Sequence, residues 1–303
     1  MIKTVSIIGM GALGLLYANQ IKSVNGFDAV DFIMDEERIK KYENQDFYIN
    51  SVAHRFKLTE IEAAKPVDLL IIAVKYGALS SIYDIIDKCC DEHTIVMSVM
   101  NGISSEDLIK ANCKCKNVIY TVAQGMDAMK AGNELKYTKM GELHIGVFEE
   151  KDNKALEDVV EYFESINMPY EKEDDILYRL WFKYMLNVGI NQTCMIDEVG
   201  YGIATTQGTD SYKMLVTAMR EVEVIAIAKG INLSEKDINT AISIIRTLDP
   251  EGRPSMAQDR MAKRYSEVDM FAGTVIEMGK ELNIAVPVNE YIYNKVKEIE
   301  NKY

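Results

Sequence analysis

The sequence predicts an α/β protein in which a doubly wound parallel-sheet domain is followed by an all-helical domain. Three observations predict it. Short apolar runs alternate with helical patterns through the first half of the 303-residue chain. A glycine-rich loop separates the first apolar run from the first helix. From about residue 173 onward the pattern is helical throughout. The boundary is expected near residues 168–172, which gives domains 1–170 and 171–303.

The strands are TVSII (4–8), AVDFIM (29–34), VDLLIIAV (67–74), TIVMSV (94–99) and NVIYTVA (117–123). They lack strict alternation, as expected of parallel strands buried on both faces. Residues 134–147 read as two further strands and 153–166 as a closing helix. Helices are expected at 173–190, 209–229, 234–247, 255–282 (broken or bent) and 288–301. The segment DPEGRP, Asp249 to Pro254, is the clearest breaker in this half.

Hydrophobic content of 48% with 27% charged residues fits a soluble globular protein. A net charge of −13, from 34 basic and 47 acidic residues, argues against a broad nucleic-acid or anionic-membrane surface. It leaves room for a local basic pocket. The N-terminal run is interrupted by three glycines and lacks the layout of a signal peptide. No apolar stretch reaches the ~18 residues that a membrane span needs. Five cysteines, an odd number, fit a reducing compartment, so a cytoplasmic address is expected. Cys89 and Cys90 are adjacent and Cys113 and Cys115 are spaced C-x-C, so they read as incidental thiols and no metal site is expected.

GMGALG, the loop Gly9, Met10, Gly11, Ala12, Leu13 and Gly14, is a G-x-G-x-x-G placed between a strand and a helix. In that context it is a Rossmann-type dinucleotide fingerprint. Gly9 allows the tight turn, Gly11 lets backbone approach a pyrophosphate, and Gly14 lets helix and strand pack closely. The helix start then offers unpaired N–H groups to the phosphates.

Asp35 ends the second strand, 21 residues after Gly14. An acid there can accept the adenosine ribose hydroxyls, the NAD(H) arrangement. A 2′-phosphate beside it would be repelled by about 4 kcal/mol per charge pair at ~4 Å. Arg38, Lys40 and Lys41 follow at once and could clamp that phosphate instead, and the whole run also fits a solvated turn. Lys75 and Asn101 each follow a strand's carboxyl end, where ligands of such sheets bind, although both are also ordinary turn residues.

LWFKYMLNVGIN (180–191) is a helix apolar almost all round, yet Lys183, Asn187 and Asn191 stack at i, i+4 and i+8. A charge buried without a partner costs several kcal/mol, so the stripe is expected to line a cleft rather than a packed core. Glu267, in a helix whose Val268, Phe271, Val275 and Met278 form a buried face, could partner Lys183. Ser255 follows Pro254 at a helix start, where Ser255 and Gln258 read as a capping box. The same helix start could instead bind a substrate carboxylate. His54, His93 and His144 sit in no telling context, which makes Lys183 the best proton donor for a carbonyl reduction.

These segments together resemble the ketopantoate reductases (2-dehydropantoate 2-reductases) over essentially the whole chain. IIGMGALG, VKYGAL, MNGISSEDLI, LWFKYMLNVGIN, PSMAQD with EVDMFAG, and ELNIAVPVNE carry the resemblance. It implies NADPH-dependent reduction of a small 2-oxo acid, 2-dehydropantoate, to (R)-pantoate. By that resemblance Lys183 is the general acid, and Asn187, Asn191 and Ser255 bind substrate. Glu267 orients the lysine and bound ligands, Asn101 touches cofactor and substrate, and Lys75 lies at the cofactor pocket. Ala128 matches a cofactor contact at a different spacing from Asn101. Two departures stand out. Asp35 falls where many members carry an arginine, which keeps NAD(H) open as the cofactor. Gln192 stands where a proline is common, and Tyr201 near a polar substrate contact. A homodimer is a further expectation, and a different 2-oxo acid or a non-catalytic nucleotide sensor are the competing readings.

Overall fold

The computed structural model describes residues 2–149 and 152–303. The chain divides into two compact units, Met1–Ile176 and Leu177–Tyr303.

In the first unit the strands are β1 (Val5–Ile8), β2 (Val30–Met34), β3 (Phe47–Ile49), β4 (Val52–His54), β5 (Lys57–Glu60), β6 (Leu69–Ile72), β7 (Ile95–Ser98), β8 (Asn117–Gln124), β9 (Met129–Ala131), β10 (Glu134–Lys136), β11 (Glu142–Gly146) and β12 (Tyr170–Lys172). The helices are α1 (Ala12–Asn25), α2 (Glu36–Tyr42), α3 (Tyr83–Cys89), α4 (Ser105–Asn112) and α5 (Asn153–Ser165). Eight strands form one sheet in the order β12-β11-β8-β7-β6-β1-β2-β5. From β5 across to β8 every neighbouring pair is parallel. β11 then runs antiparallel to β8, with β12 parallel to β11.

Every residue of β1, β6 and β7 is buried, which explains why their runs are apolar but for Ser6 and Ser98. Successive side chains enter different cores. Ile7 and Ile71 join Leu15, Ile21 and Val159 of α1 and α5 on one face. Ile8 and Ile72 join Ile86 and Ile109 of α3 and α4 on the other. Helices on both faces make the sheet doubly wound, and truncating a side chain such as Ile71 to alanine would cost about 2–5 kcal/mol. The expected pair of strands in 134–147 forms, but β10 belongs elsewhere, to a four-stranded sheet in the order β4-β3-β10-β9.

The second unit is helical: α6 (Ile176–Asp197), α7 (Tyr201–Ala204), α8 (Asp210–Ala228), α9 (Glu235–Ile245), α10 (Ser255–Met261), α11 (Thr274–Leu282) and α12 (Pro287–Glu300). α6 starts later and ends later than the expected 173–190; Glu173 still follows the sheet, its N–H donating to Ile145 O at 2.9 Å. Thr209 caps α8 by accepting the Tyr212 N–H at 3.1 Å, and Ser234 with Asp237 forms a capping box on α9. The expected helix over 255–282 is broken in two. Between α10 and α11 lies a five-residue π-helical segment, Asp269–Gly273, a form that recurs at functional positions.

Candidate active site

In the first unit the strand order reverses at β1, whose neighbours are β2 and β6. Ligands of open α/β sheets bind outside the strand carboxyl ends at such a point. Five strands bring the sequence candidates to that edge. Gly9 follows β1, Asp35 follows β2, Lys75 follows β6, Asn101 follows β7 and Ala128 follows β8.

The three fingerprint glycines differ in what demands them. Gly9 has φ +109°, and a Cβ there would lie 2.4 Å from Ala73 O. A Cβ on Gly14 would lie 2.0 Å from Gly9 O, so the helix seats directly on the turn. At Gly11, by contrast, the nearest atom beyond its chain neighbours is Ala73 O at 3.8 Å. Gly11 is exposed and precedes α1, whose first turn carries no acidic side chain. Leu15 N–H is the first of α1 to bond back, to Gly11 O at 3.1 Å. The N–H groups ahead of it lack an intrahelical acceptor and so suit an anion. An open edge at Gly11 with free donors fits a dinucleotide pyrophosphate. Met10, Ala12 and Leu13 pack part-buried on the core below.

Asp35 does double duty. Its Oδ1 caps α2 by accepting the Arg38 N–H at 2.8 Å, and Oδ2 lies 3.5 Å from Arg38 Nε. Asp35 is 49% exposed and Arg38 66%, so acid and base stand together in the open beyond the end of β2. Lys75 is exposed at the head of a 3-10 segment, and Asn101 is part-buried in the turn before α4. Behind that turn Glu106 is fully buried. Its carboxylate accepts from Ser105 Oγ at 2.7 Å and Thr121 N at 3.2 Å, while Ser98 Oγ donates to Ser105 Oγ at 2.8 Å. Burial pushes the Glu106 carboxyl up to about 7, against those hydrogen bonds.

In the second unit Lys183, Asn187 and Asn191 stack on α6, with Lys183 and Asn187 part-buried and Asn191 buried. Asn191 Nδ2 donates to Asn187 Oδ1 at 3.2 Å, and Ser255 Oγ donates to Asn191 Oδ1 at 3.0 Å. Three of the expected substrate residues are thus one hydrogen-bonded array. The expected capping box at Ser255 is absent. Pro254 occupies the N-cap with no side-chain cap, the Ser255 hydroxyl goes to Asn191, and Gln258 Nε2 goes to Arg253 O at 2.9 Å. α10 is only seven residues long, so its start is no anion site of its own.

Glu267 is part-buried and precedes the π segment instead of lying within a regular helix; its carbonyl accepts from Met270 N at 3.0 Å and Phe271 N at 3.1 Å. Val268, Phe271, Val275 and Met278 are all buried, as their spacing predicts. Two α6 residues that the sequence marked only as apolar wall or as a departure fasten this segment. Tyr184 OH donates to Phe271 O at 2.7 Å, and Gln192 Oε1 accepts the Ala272 N–H at 3.1 Å. Burial pushes the nearby Cys194 thiol and Tyr201 phenol each up to about 12.

Elsewhere, His144 on β11 is buried between Glu142 and Glu173, opposite Val122 of β8. The Cys90 and Cys115 sulfurs lie 2.9 Å apart ahead of β7 and β8, at the opposite end of the sheet. Among the described residues no cluster of His, Cys, Asp or Glu is placed to hold a metal, and no helix is long and apolar enough to cross a membrane.

Residues 5–150 match the family described as ketopantoate reductase PanE/ApbA, and residues 175–300 match its C-terminal domain. A 2-dehydropantoate 2-reductase of Pyrococcus horikoshii is 28% identical over 306 residues, covering 97% of each chain. The crystal structure of a PanE/ApbA family ketopantoate reductase from Ralstonia eutropha superposes with a TM-score of 0.84 at 24% identity, covering 99% of both chains. A D-mandelate dehydrogenase in ternary complex with NADH and anilino(oxo)acetate superposes at 0.86 with 21% identity, covering 99% of this chain and 98% of that one. With both parts of the family pattern present in order, the chain belongs to the ketopantoate reductase family of NAD(P)H-dependent oxidoreductases.

Proposed function

We propose that this enzyme is a 2-dehydropantoate 2-reductase, with Lys183 as proton donor. The observation that carries the reading is the array Asn187–Asn191–Ser255 on the face of α6 that also bears Lys183. A bound reduced nicotinamide dinucleotide supplies the hydride that adds to the ketone carbon. Gly9–Gly14, Asp35, Lys75, Asn101 and Ala128 hold that dinucleotide. Lys183 Nζ hydrogen-bonds the ketone oxygen, neutralises the alkoxide as it develops and delivers the proton. Asn187, Asn191 and Ser255 fix the remaining oxygens of the substrate, and Glu267 orients the lysine. Holding the groups in place leaves little reorganisation for the reaction step.

The test is NADPH oxidation, and separately NADH oxidation, by purified protein with 2-dehydropantoate. Lys183→Ala is expected to lower kcat by about 10²–10⁴-fold with dinucleotide affinity unchanged. Near-normal turnover in that variant would sink the assignment of Lys183.

The likeness to a D-mandelate dehydrogenase supports a second reading, in which another 2-oxo or 2-hydroxy acid is the substrate. Tyr201, which packs its ring against Gly252, is the residue most suited to reshape the pocket. A 2-oxo acid panel separates the two readings by their relative kcat/KM.

A further inference from the structure

Four cysteines of the first unit lie on one face of its sheet. Cys89 ends α3 and Cys90 follows it, Cys113 follows α4, and Cys115 stands two residues ahead of β8. All four belong to the same core as Ile86 and Ile109. The sequence offers two obvious pairs, the adjacent Cys89–Cys90 and the C-x-C of Cys113–Cys115. The fold makes a third. Cys90 Sγ and Cys115 Sγ lie 2.9 Å apart, although 25 positions separate them in the chain. The two sulfurs are thus within about 1 Å of disulfide bonding distance.

The backbone on both sides of the pair is fastened. Cys89 O accepts the Val67 N–H at 3.1 Å. The turn after Cys90 is closed by Asp91, whose Oδ1 accepts the His93 N–H at 2.8 Å and the Thr94 N–H at 3.1 Å. On the other side the Cys113 N–H donates to Ile109 O at 2.9 Å, and the Lys114 N–H donates to Asp87 Oδ1 of α3 at 2.7 Å. Asn117 Nδ2 donates to Glu92 O at 3.2 Å, which joins the start of β8 to the turn after Cys90. The fold itself therefore holds the thiols at each other. Groups held in this way react as neighbours in one molecule, with the entropy of their encounter already lost.

Access differs among the thiols. Cys90 and Cys113 are part-buried, whereas Cys115 is buried. Cys113 Sγ faces Tyr83 O at 3.9 Å. Its hydrogen bond with Cys115 and burial push the Cys113 thiol up. That bond lowers the Cys115 thiol, but the bond with Cys90 and burial outweigh it and push Cys115 up to about 12. A small oxidant thus meets Cys90 first, with Cys115 shielded behind it.

We propose that Cys90 and Cys115 are a reversible disulfide site, which a peroxide oxidises and whose bond braces the end of α3 to the start of β8. The Cys90 sulfur attacks one peroxide oxygen, the O–O bond breaks, and a sulfenic acid and one water result. The Cys115 sulfur then attacks the Cys90 sulfur. The S–O bond breaks, and the hydroxyl leaves with the Cys115 proton as a second water. Two thiols have lost two electrons, and the peroxide has gained them. The loop closed by the bond carries β7, the Asn101 turn and α4. Nothing in this chemistry depends on which 2-oxo acid the enzyme reduces.

The test treats the reduced full chain with a small excess of hydrogen peroxide and follows thiols, linkage and Tm. Thiols titrated in denaturant are expected to fall from five to three, and dithiothreitol to restore them. A digest without reductant is expected to join the Cys90 and Cys115 peptides, in the unaltered protein and in Cys113→Ser alike. Cys90→Ser and Cys115→Ser are expected to keep all their remaining thiols. The oxidised protein is expected to melt about 5 °C or more above the reduced one, a gain absent from Cys90→Ser. Retention of all five thiols, a link through Cys113 in place of Cys90 or Cys115, or a sulfinic acid at Cys90 with no link overturns the proposal. A Cys90–Cys115 link that lowers the Tm also overturns it, because the bond would then form only by distorting the fold.

Discussion

Gln192 accepts the Ala272 N–H at 3.1 Å while its amide nitrogen donates to Val188 O at 2.8 Å. The side chain is fully buried and spans from α6 to the π segment. A π turn leaves backbone groups out of the regular ladder, and here α6 accepts one of them. The Tyr184 hydroxyl supplies a donor to the Phe271 carbonyl in the same way. The stretch that follows Glu267 is thereby tied to the helix that carries Lys183.

Gln192→Met, similar in shape, would leave the Ala272 N–H buried and unpaired. That costs about 1–3 kcal/mol, a fall in Tm of about 2–10 °C for a protein of this size. Because Glu267 is expected to shift with the segment, kcat should fall while the dinucleotide Kd holds. Thermal unfolding together with stopped-flow turnover checks both. A drop in Tm with kcat intact would reduce Gln192 to a purely structural residue.

Ser255→Ala separates two uses of one hydroxyl. As a helix cap its loss would cost about 1 kcal/mol of stability. Since the hydroxyl goes to Asn191, the expected result is a Tm within about 2 °C of the unaltered protein. The KM for the 2-oxo acid should rise about tenfold or more as the array loosens. Calorimetry and steady-state kinetics on one preparation decide between them.

Asp35→Asn keeps a side chain that caps α2 equally well and removes only the charge. With Arg38 left in place, the ratio of kcat/KM for NADPH to that for NADH should rise about tenfold. The complementary Arg38→Ala should lower that ratio. If neither ratio moves, the pair is a solvated turn and another residue selects the cofactor.

Glu106 predicts a pH dependence of stability. Its folded-state pKa of about 7 lies above the ordinary value of 4.5. The folded protein therefore holds this proton more tightly, and its contribution is full below pH ~4.5 and lost as pH rises to 7. The loss amounts to about 3 kcal/mol in order of magnitude. Glu106→Gln, which can still bond Ser105 and Thr121, is expected to show a flatter decline of Tm between pH 5 and 8. An equal decline in both proteins would assign the effect elsewhere.

Much of this architecture is legible in the sequence because its signals are local. LLII is apolar throughout and VSII is broken only by Ser6, and the sheet buries both strands on both faces. The segments that escape are β3, β4, β5, β9 and β12, each three or four residues long. They are held by pairing across the chain, and Val52 on β4 is largely exposed, so no apolar pattern announces them. The π segment escapes for a different reason. Val268, Phe271 and Val275 keep the three- and four-residue spacing of a buried α-helical face, and the widened turn leaves that spacing intact. At Ser255 the local signal is a true capping pattern, but a partner 64 residues away wins the hydroxyl.

The open side of Gly11 separates two properties that usually fail together. Replacing Gly9 or Gly14 would drive a side chain into backbone, at Ala73 or at Gly9 itself, and the turn would have to give way. A methyl group at position 11 meets no such obstacle from the protein. Under the proposed function, variation there falls on the bound dinucleotide and not on folding. The loop thus offers a natural place to make a well-folded twin of this enzyme that is blind to its cofactor, a partner for dissecting which behaviours of the second unit need the dinucleotide and which do not.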